Sequence, residues 1–374
     1  MAAAALSKPL AVFLIIVSFI AVTGILFSLE APSQGEGYGL VSGSLIGAGS
    51  SFLNPQMQAW AIQYYELSEG RVRVNYQSLG SGAGQAKFRE GMLDFVGSDP
   101  PLKHKIYVEL SSRDGVLQFP IIVGGVAVVY NIPEIGDMEL KLTGEVIAKI
   151  YLAEILFWDD EEIRKLNPDL NLPHEKIIAV HRSDGSGTTK IFTAYLSSVS
   201  SEWAEEVGAD FTVQWPVDSV GNGLGGKGNE GVAAAVSQNK YSIGYVELAY
   251  VKSANLKAAK LMNRDGFFVL PTSETLKAAI KEASLTLPNP DEDWSGIIDK
   301  VVNQPGENSY PITSFSFIIL RKTYDPVKAE LVKEFFGWVL TEGEKPENVL
   351  EGYVPLPPEA AQIGLKALEM IKEV

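Results

Sequence analysis

Residues 176–196 read KIIAVHRSDGSGTTKIFTAYL. The apolar run Lys176–Val180 has the character of a buried strand. Ile191, Phe192, Tyr195 and Leu196 recur at helical spacing. Between them lies a short loop of glycines and hydroxyls. A strand that passes through such a loop into a helix is the unit of an α/β fold. The same succession recurs elsewhere. Arg71–Tyr76 (RVRVNY) alternates Val72, Val74 and Tyr76 on one face, a strand pattern. Before it, Met57, Trp60, Ala61 and Tyr64 form a helical stripe, with Asn54 as the expected N-cap and Pro55 at the first helical position. Ile121–Tyr130 (IIVGGVAVVY) is apolar on both faces, as a strand covered on both sides must be. Asp325-Pro326 opens a helix through Trp338, with Gly343 as its stop signal. The pattern predicts an α/β fold with mainly parallel sheets. Internal repeats and coiled-coil heptads are lacking.

Composition narrows the function. The chain has 374 residues, a length that suggests two domains. It carries 31 Lys+Arg against 46 Asp+Glu, a formal net charge of −15, and no cysteine. Disulfides, Cys-ligated metals and thiol nucleophiles are excluded. The acidity argues against nucleic acid as a partner, because the phosphate backbone needs a basic face. The three histidines, His104, His174 and His181, lack metal spacing. Gly221–Gly228 (GNGLGGKG) nearly matches a P-loop, but Gly228 stands where a magnesium-binding hydroxyl is required. No metal or cofactor is expected, and these scans show no catalytic constellation.

Residues 9–29 contain no charge, and Lys8 precedes them. The run exceeds the apolar core of a secretory signal and suffices to span a bilayer. An N-terminal hydrophobic helix is expected over 1–29. It acts either as a membrane anchor through residues 9–29 or as a signal peptide that is cleaved. Both readings place the remainder outside the cytoplasm. Residues 30–44 are rich in Gly, Ser and Pro and read as a flexible tether.

Four segments place small residues or hydroxyls where strands end or helices begin: 47–52 (GAGSSF), 80–84 (GSGAG), 97–99 (GSD) and 182–188 (RSDGSGT). Glycine allows close backbone approach, and helix starts present unpaired N–H groups and partial positive charge. Together they can make an anion site. Any one alone is more often a turn or a cap.

Read together, these segments carry a resemblance. GAGSSF at 47–52, YQSLGSGAG at 76–84, DFVGSDPPL at 94–102, HRSDGSGTTKIFTAYL at 181–196, LGGKGNEGVAAAV at 224–236 and YPITSFSFIIL at 310–320 resemble, in order, the PstS family. These are the phosphate-binding proteins of phosphate ABC transporters. The resemblance runs from about Leu45 to the C-terminus and implies a two-lobed periplasmic-binding-protein fold with a ligand cleft. Lobe one would comprise 45–130 plus 310–374, and lobe two 131–309. One inorganic phosphate would be held by Ser51, Phe52, Ser81, Asp99, Arg182, Ser186, Gly187 and Thr188. Asp99 would accept a hydrogen bond from phosphate, and Asp184 would hold Arg182. The implied partners are phosphate and the transporter's permease subunits, with the chain itself a monomer. Ser51 stands where the family often has threonine, and 217–222 is longer than usual.

Overall fold

The computed structural model describes residues 41–283 and 287–374. The hydrophobic segment 9–29 and the tether as far as residue 40 lie outside the described residues. Among the described residues no helix is long and apolar enough to cross a membrane. Strand pairing starts at Gly43, just inside the expected tether.

One continuous sheet organises the chain. Its main strands are β1 (Gly43–Gly49), β2 (Val72–Ser78), β3 (Phe95–Ser98), β4 (Val116–Asn131), β5 (Ile178–Arg182), β6 (Gly223–Gly226), β7 (Ser242–Glu247) and β8 (Thr313–Arg321), in the order β2-β1-β3-β8-β4-β7-β5-β6. β1 runs parallel to β2 and β3, and β5 runs parallel to β6 and β7. The centre differs from the expected parallel arrangement. β8 is antiparallel to β3 and β4, and β4 is antiparallel to β7. Alternation of strands and helices does not distinguish a crossover within a half from a return between halves, which is why the sequence pattern misses this.

The two lobes share β4. Residues 116–125 pair with β8, whereas residues 126–131 pair with β7. The strand is apolar on both faces because helices cover it on both sides. At the changeover, a Cβ on Gly124 would lie 2.5 Å from the Phe52 ring, and one on Gly125 would lie 2.5 Å from Leu276. Side chains from opposite sides therefore close on a backbone that must be bare.

Each half has its own aromatic core. Tyr64 packs edge-on against Phe335 at 5.4 Å and tilted against Trp338 at 5.3 Å, and Trp60 Nε1 donates to the Gly343 carbonyl at 2.8 Å. In the other half Phe192 stacks on Tyr245 at 4.2 Å, and Tyr151 meets Phe192, Trp215 and Tyr245. Residues 287–301 touch both halves. Trp294 packs edge-on against Phe317 of β8, while Lys190 reaches Asp299 at 3.1 Å. The first long helix, Asn54–Leu67, starts one residue earlier than expected. Leu53 is its N-cap, and Asn54 instead accepts from Gln58 Nε2.

Glu344, beyond the helix Pro326–Trp338, is a buried acid that the fold tolerates. One of its oxygens, Oε2, accepts the Leu356 N–H at 2.5 Å, and the other has no hydrogen-bond partner among the described residues. Burial pushes its carboxyl from 4.5 up to about 8, against the pull of the Leu356 N–H. The unfolded chain then ionises before the folded one does. The stabilisation from a neutral Glu344 is complete below pH 4.5 and disappears as pH rises towards 8. The stability of the parent relative to Glu344→Gln should therefore fall between those limits. Urea unfolding of both proteins across that range checks it, and a difference independent of pH would contradict the assignment.

Candidate functional site

The parallel strands deliver their carboxyl ends to one region, where ligands gather in open α/β sheets. β1 ends at Gly49 and feeds Ser50, Ser51 and Phe52. β3 ends at Ser98, directly before Asp99. Gly80, at φ +85°, turns the chain after β2 into the helix Ser81–Arg89. Across the cleft, β5 ends at Arg182. Ser186 then caps the helix Gly187–Val199, its Oγ accepting the Thr189 N–H at 3.0 Å.

The anticipated ligand contacts are brought together and buried, and Asp184 beside Arg182 is half-buried. The two sides touch. Gly82 N–H donates to the Gly185 carbonyl at 2.9 Å, and a Cβ on Gly187 would lie 2.5 Å from both Asp99 Oδ2 and Ser81 Oγ. Lys103 Nζ meets Asp210 at 2.6 Å at the rim.

Asp99 is the carboxylate that faces the start of the helix Gly187–Val199 across the cleft. Its Oδ1 accepts from the hydroxyls of Ser50 and Ser316, the latter at 3.0 Å. Its Oδ2 accepts from Ser81 Oγ at 3.3 Å and faces the start of the helix Gly187–Val199. Burial pushes the Asp99 carboxyl up to about 6, against the hydroxyls of Ser50, Ser316 and Ser81 and the charge of Arg182. It is ionised at neutral pH and poised to accept.

Arg182 is held by Asp184 through Nε at 2.8 Å and Nη2 at 2.5 Å, while Nη1 reaches Thr188 Oγ1 at 3.3 Å. Burial alone would raise Asp184. The Arg182 contacts and the Gly228 N–H outweigh it and hold the carboxyl below its ordinary range. The Nη1–Nη2 edge is the side of the guanidinium turned from this clamp.

Asn229 was not anticipated. Its Oδ1 accepts the Glu247 N–H at 2.9 Å, which fixes the amide, so Nδ2 must donate to Ser51 Oγ and Thr188 Oγ1, both at 3.0 Å. Ser51 Oγ also accepts the Asn229 N–H at 3.1 Å. A hydroxyl has two acceptor positions and one hydrogen. Ser51 and Thr188 both spend their acceptor positions on fixed donors, and Ser186 spends one on Thr189 N–H. Their hydrogens are left for something else. The Ser186 N–H is not available, because it donates to the Phe211 carbonyl at 2.9 Å. Those of Gly187 and Thr188, at a helix start, have no acceptor within the helix. The Phe52 ring packs against Gly124 and edge-on to Tyr353, so its backbone is the part with a polar group to offer a ligand.

Ser50, Ser316 and Asn229 were missed. Asn229 had a signal, since it lies in LGGKGNEGVAAAV, a segment of the resemblance from which no binding residue was drawn. Ser50 stands in GAGSSF beside the residue that was chosen. Nothing local singles out Ser316, which β8 carries in beside Asp99. His181 pairs with Asp218 at 2.9 Å and stacks on Trp215 at 4.9 Å, a structural role. Asp218 lies in the long 217–222 stretch, which thus braces the strand that carries Arg182.

A buried cleft at the ends of two parallel strand sets, lined by donors around one acceptor, is the architecture of a solute-binding protein. The sequence profile of the PBP superfamily domain matches residues 32–342. The phosphate-binding protein PstS of Methanocaldococcus jannaschii is 49% identical over 333 residues, 87% of this chain and 85% of that protein. The PstS of Pasteurella multocida is 46% identical over 320 residues, 85% of this chain and 88% of that protein. The crystal structure of a phosphate-binding protein from Stenotrophomonas maltophilia shares the fold, with a TM-score of 0.62 at 18% identity, covering 87% of this chain and 93% of that one. The chain belongs to the PstS family of the PBP superfamily.

The Asp99 environment makes a prediction about the empty site. In anion-stripped protein the Asp99 carboxyl should titrate near 6, and Ser316→Ala should move the midpoint higher by removing a donor to the ionised form. Carbon-13 NMR of labelled aspartate reads both. A midpoint near 4 or an unmoved variant would contradict this environment.

Proposed function

We propose that this protein captures inorganic phosphate in the cleft and delivers it to the permease of an ABC transporter, without catalysing a reaction. It works outside the cytoplasm, anchored through residues 9–29 or released after signal cleavage, and as a monomer. Lobe one is taken as 45–130 plus 310–374 and lobe two as 131–309. The observation that carries this reading is the donor balance: hydroxyl hydrogens and helix-start N–H groups converge with Arg182 around a single acceptor, Asp99 Oδ2.

The chain is acidic overall, so long-range attraction does not concentrate the ligand, and at about 0.15 M salt the field is screened beyond roughly 8 Å. Affinity comes from short charge-assisted bonds in a cleft closed to water. Ser51 and Thr188 donate from their hydroxyls because Asn229, joined at Thr188 by Arg182 Nη1, occupies their acceptor positions. Ser51 and Phe52 add backbone N–H groups, as do Gly187 and Thr188. Ser186 contributes its hydroxyl, and Ser81 its backbone N–H and a hydroxyl whose hydrogen turns from the long Asp99 contact to the anion. Arg182, aimed by Asp184, supplies a full positive charge.

Asp99 selects. Phosphate at neutral pH retains a proton and donates it to Oδ2. Sulfate is fully ionised there and sets an oxyanion against a carboxylate with nothing between them. A buried group left without its partner costs several kcal/mol by magnitude, and sites built on such a bond discriminate by roughly 10⁴–10⁵.

Calorimetry of the anion-stripped protein tests the reading. Tight one-to-one phosphate binding without sulfate heat is expected, and no phosphate binding by folded protein would refute it. Asp99→Asn should narrow the phosphate-to-sulfate ratio by about tenfold or more, since an amide can donate to sulfate. An unchanged ratio would remove Asp99 as the selector. Arg182→Ala should weaken phosphate binding more than Ser51→Ala, because it deletes a charge-assisted contact and leaves Asp184 buried without its cation. Equal losses would count against that order.

A further inference from the structure

Three buried tyrosines from three separate elements hold three consecutive carbonyls of the turn after β1. Tyr76 on β2 donates to the Ser50 carbonyl at 3.0 Å. Tyr250, in the helix Leu248–Ser253 beyond β7, donates to the Ser51 carbonyl at 2.7 Å. Tyr353, in a short strand paired with β4 at Gly124, donates to the Phe52 carbonyl at 2.5 Å. All three rings are buried.

The consequence follows from peptide geometry. A peptide unit is planar and trans, and this chain has no cis bond among the described residues. Each C=O therefore points opposite to the N–H of the next residue. Fixing the Ser50 carbonyl aims the Ser51 N–H, and fixing the Ser51 carbonyl aims the Phe52 N–H. The third unit shows the coupling completed within the protein. With the Phe52 carbonyl held by Tyr353, the Leu53 N–H donates to Ser50 Oγ at 3.0 Å, and that hydroxyl donates in turn to Asp99.

We propose that Tyr76 and Tyr250 are positioning residues for the ligand, which never touch it but aim the Ser51 and Phe52 N–H groups into the cleft. Without them the turn could rotate these peptide units and satisfy the carbonyls elsewhere, at the expense of the anion's donors. The surroundings are built for the arrangement. A Cβ on Gly97 would lie 2.4 Å from the Tyr76 hydroxyl, so β3 must carry glycine there for the tyrosine to reach Ser50. Tyr250 arrives from the opposite side of the cleft, where Asn229 also holds the Ser51 hydroxyl. One residue of the turn is thus fixed through its carbonyl and its side chain together. This inference rests on the phosphate reading of the site.

The test compares the full-length parent with Tyr76→Phe, Tyr250→Phe and Tyr324→Phe, all stripped of anion. The last removes a buried hydroxyl that donates to the Asp94 carbonyl at 2.6 Å, away from the cleft. Calorimetry with inorganic phosphate should show Kd raised about fivefold in each of the first two, the equivalent of one neutral hydrogen bond, and unchanged in the third. Proton–nitrogen NMR should show a smaller phosphate-induced downfield shift of the Ser51 amide in Tyr76→Phe, and of the Phe52 amide in Tyr250→Phe. A merely structural tyrosine would not give that residue-matched loss. Should one variant fail to fold, the matched shift in the other decides. Unchanged Kd and unchanged shifts in folded variants, with the parent binding phosphate, would overturn the inference alone. A folded parent that fails to bind phosphate would overturn the reading of the site and the inference with it.

Discussion

A carboxylate buried between two lobes is the constraint on which the rest of this structure depends. Asp99 is 1% exposed, and an ionised acid in that position is costly unless hydrogen bonds replace its water. Three serines from three elements supply them. Ser50 follows β1, Ser81 starts a helix after β2, and Ser316 sits on β8. The strand order exists around this need, since β3 must lie between β1 and β8 for their serines to reach one carboxylate. Oδ1 is satisfied by two of them. Oδ2 is left with one long contact and faces the opposite lobe.

That asymmetry gives the cleft its chemistry. The other polar groups have been driven to donate, because Asn229 and Thr189 occupy the acceptor positions of the hydroxyls they touch, and Asp184 fixes the guanidinium. The ligand that completes such a shell is an oxyanion with several acceptor oxygens and one hydrogen. Net charge has little part in this, and an acidic chain can build the site because the field that matters extends only a few ångströms.

Much of this was legible in the sequence, for identifiable reasons. KIIAV followed by HRSDGSGT contains a strand, its end and a helix start in one contiguous stretch, so Arg182 and Ser186–Thr188 could be placed without tertiary information. Ser51, Ser81 and Asp99 lie in segments of the same kind, and it was the resemblance to the PstS family that singled them out. What escaped was brought in from a distance. Ser316 is an ordinary residue of a buried strand until β8 lies antiparallel beside β3. Tyr76 reads as one face of a strand and Tyr250 carries no mark in the sequence, and their hydroxyls gain meaning only when they meet the turn at 50–52. Asn229 follows directly after the near-P-loop Gly221–Gly228 and has no local mark, whereas it ties Ser51 to Thr188. The antiparallel centre of the sheet was missed because periodicity reports which residues are buried, not the direction of the neighbouring strand.

The central claim is that the cleft recognises its anion by the proton the anion carries. Neutron diffraction from the deuterated protein loaded with phosphate at neutral pH would test it most directly. The account predicts nuclear density for a deuteron between a phosphate oxygen and Asp99 Oδ2, with the hydroxyls of Ser51 and Thr188 donating to the other oxygens. A phosphate whose oxygens near Asp99 carry no deuteron, or one bound away from Asp99, would contradict it.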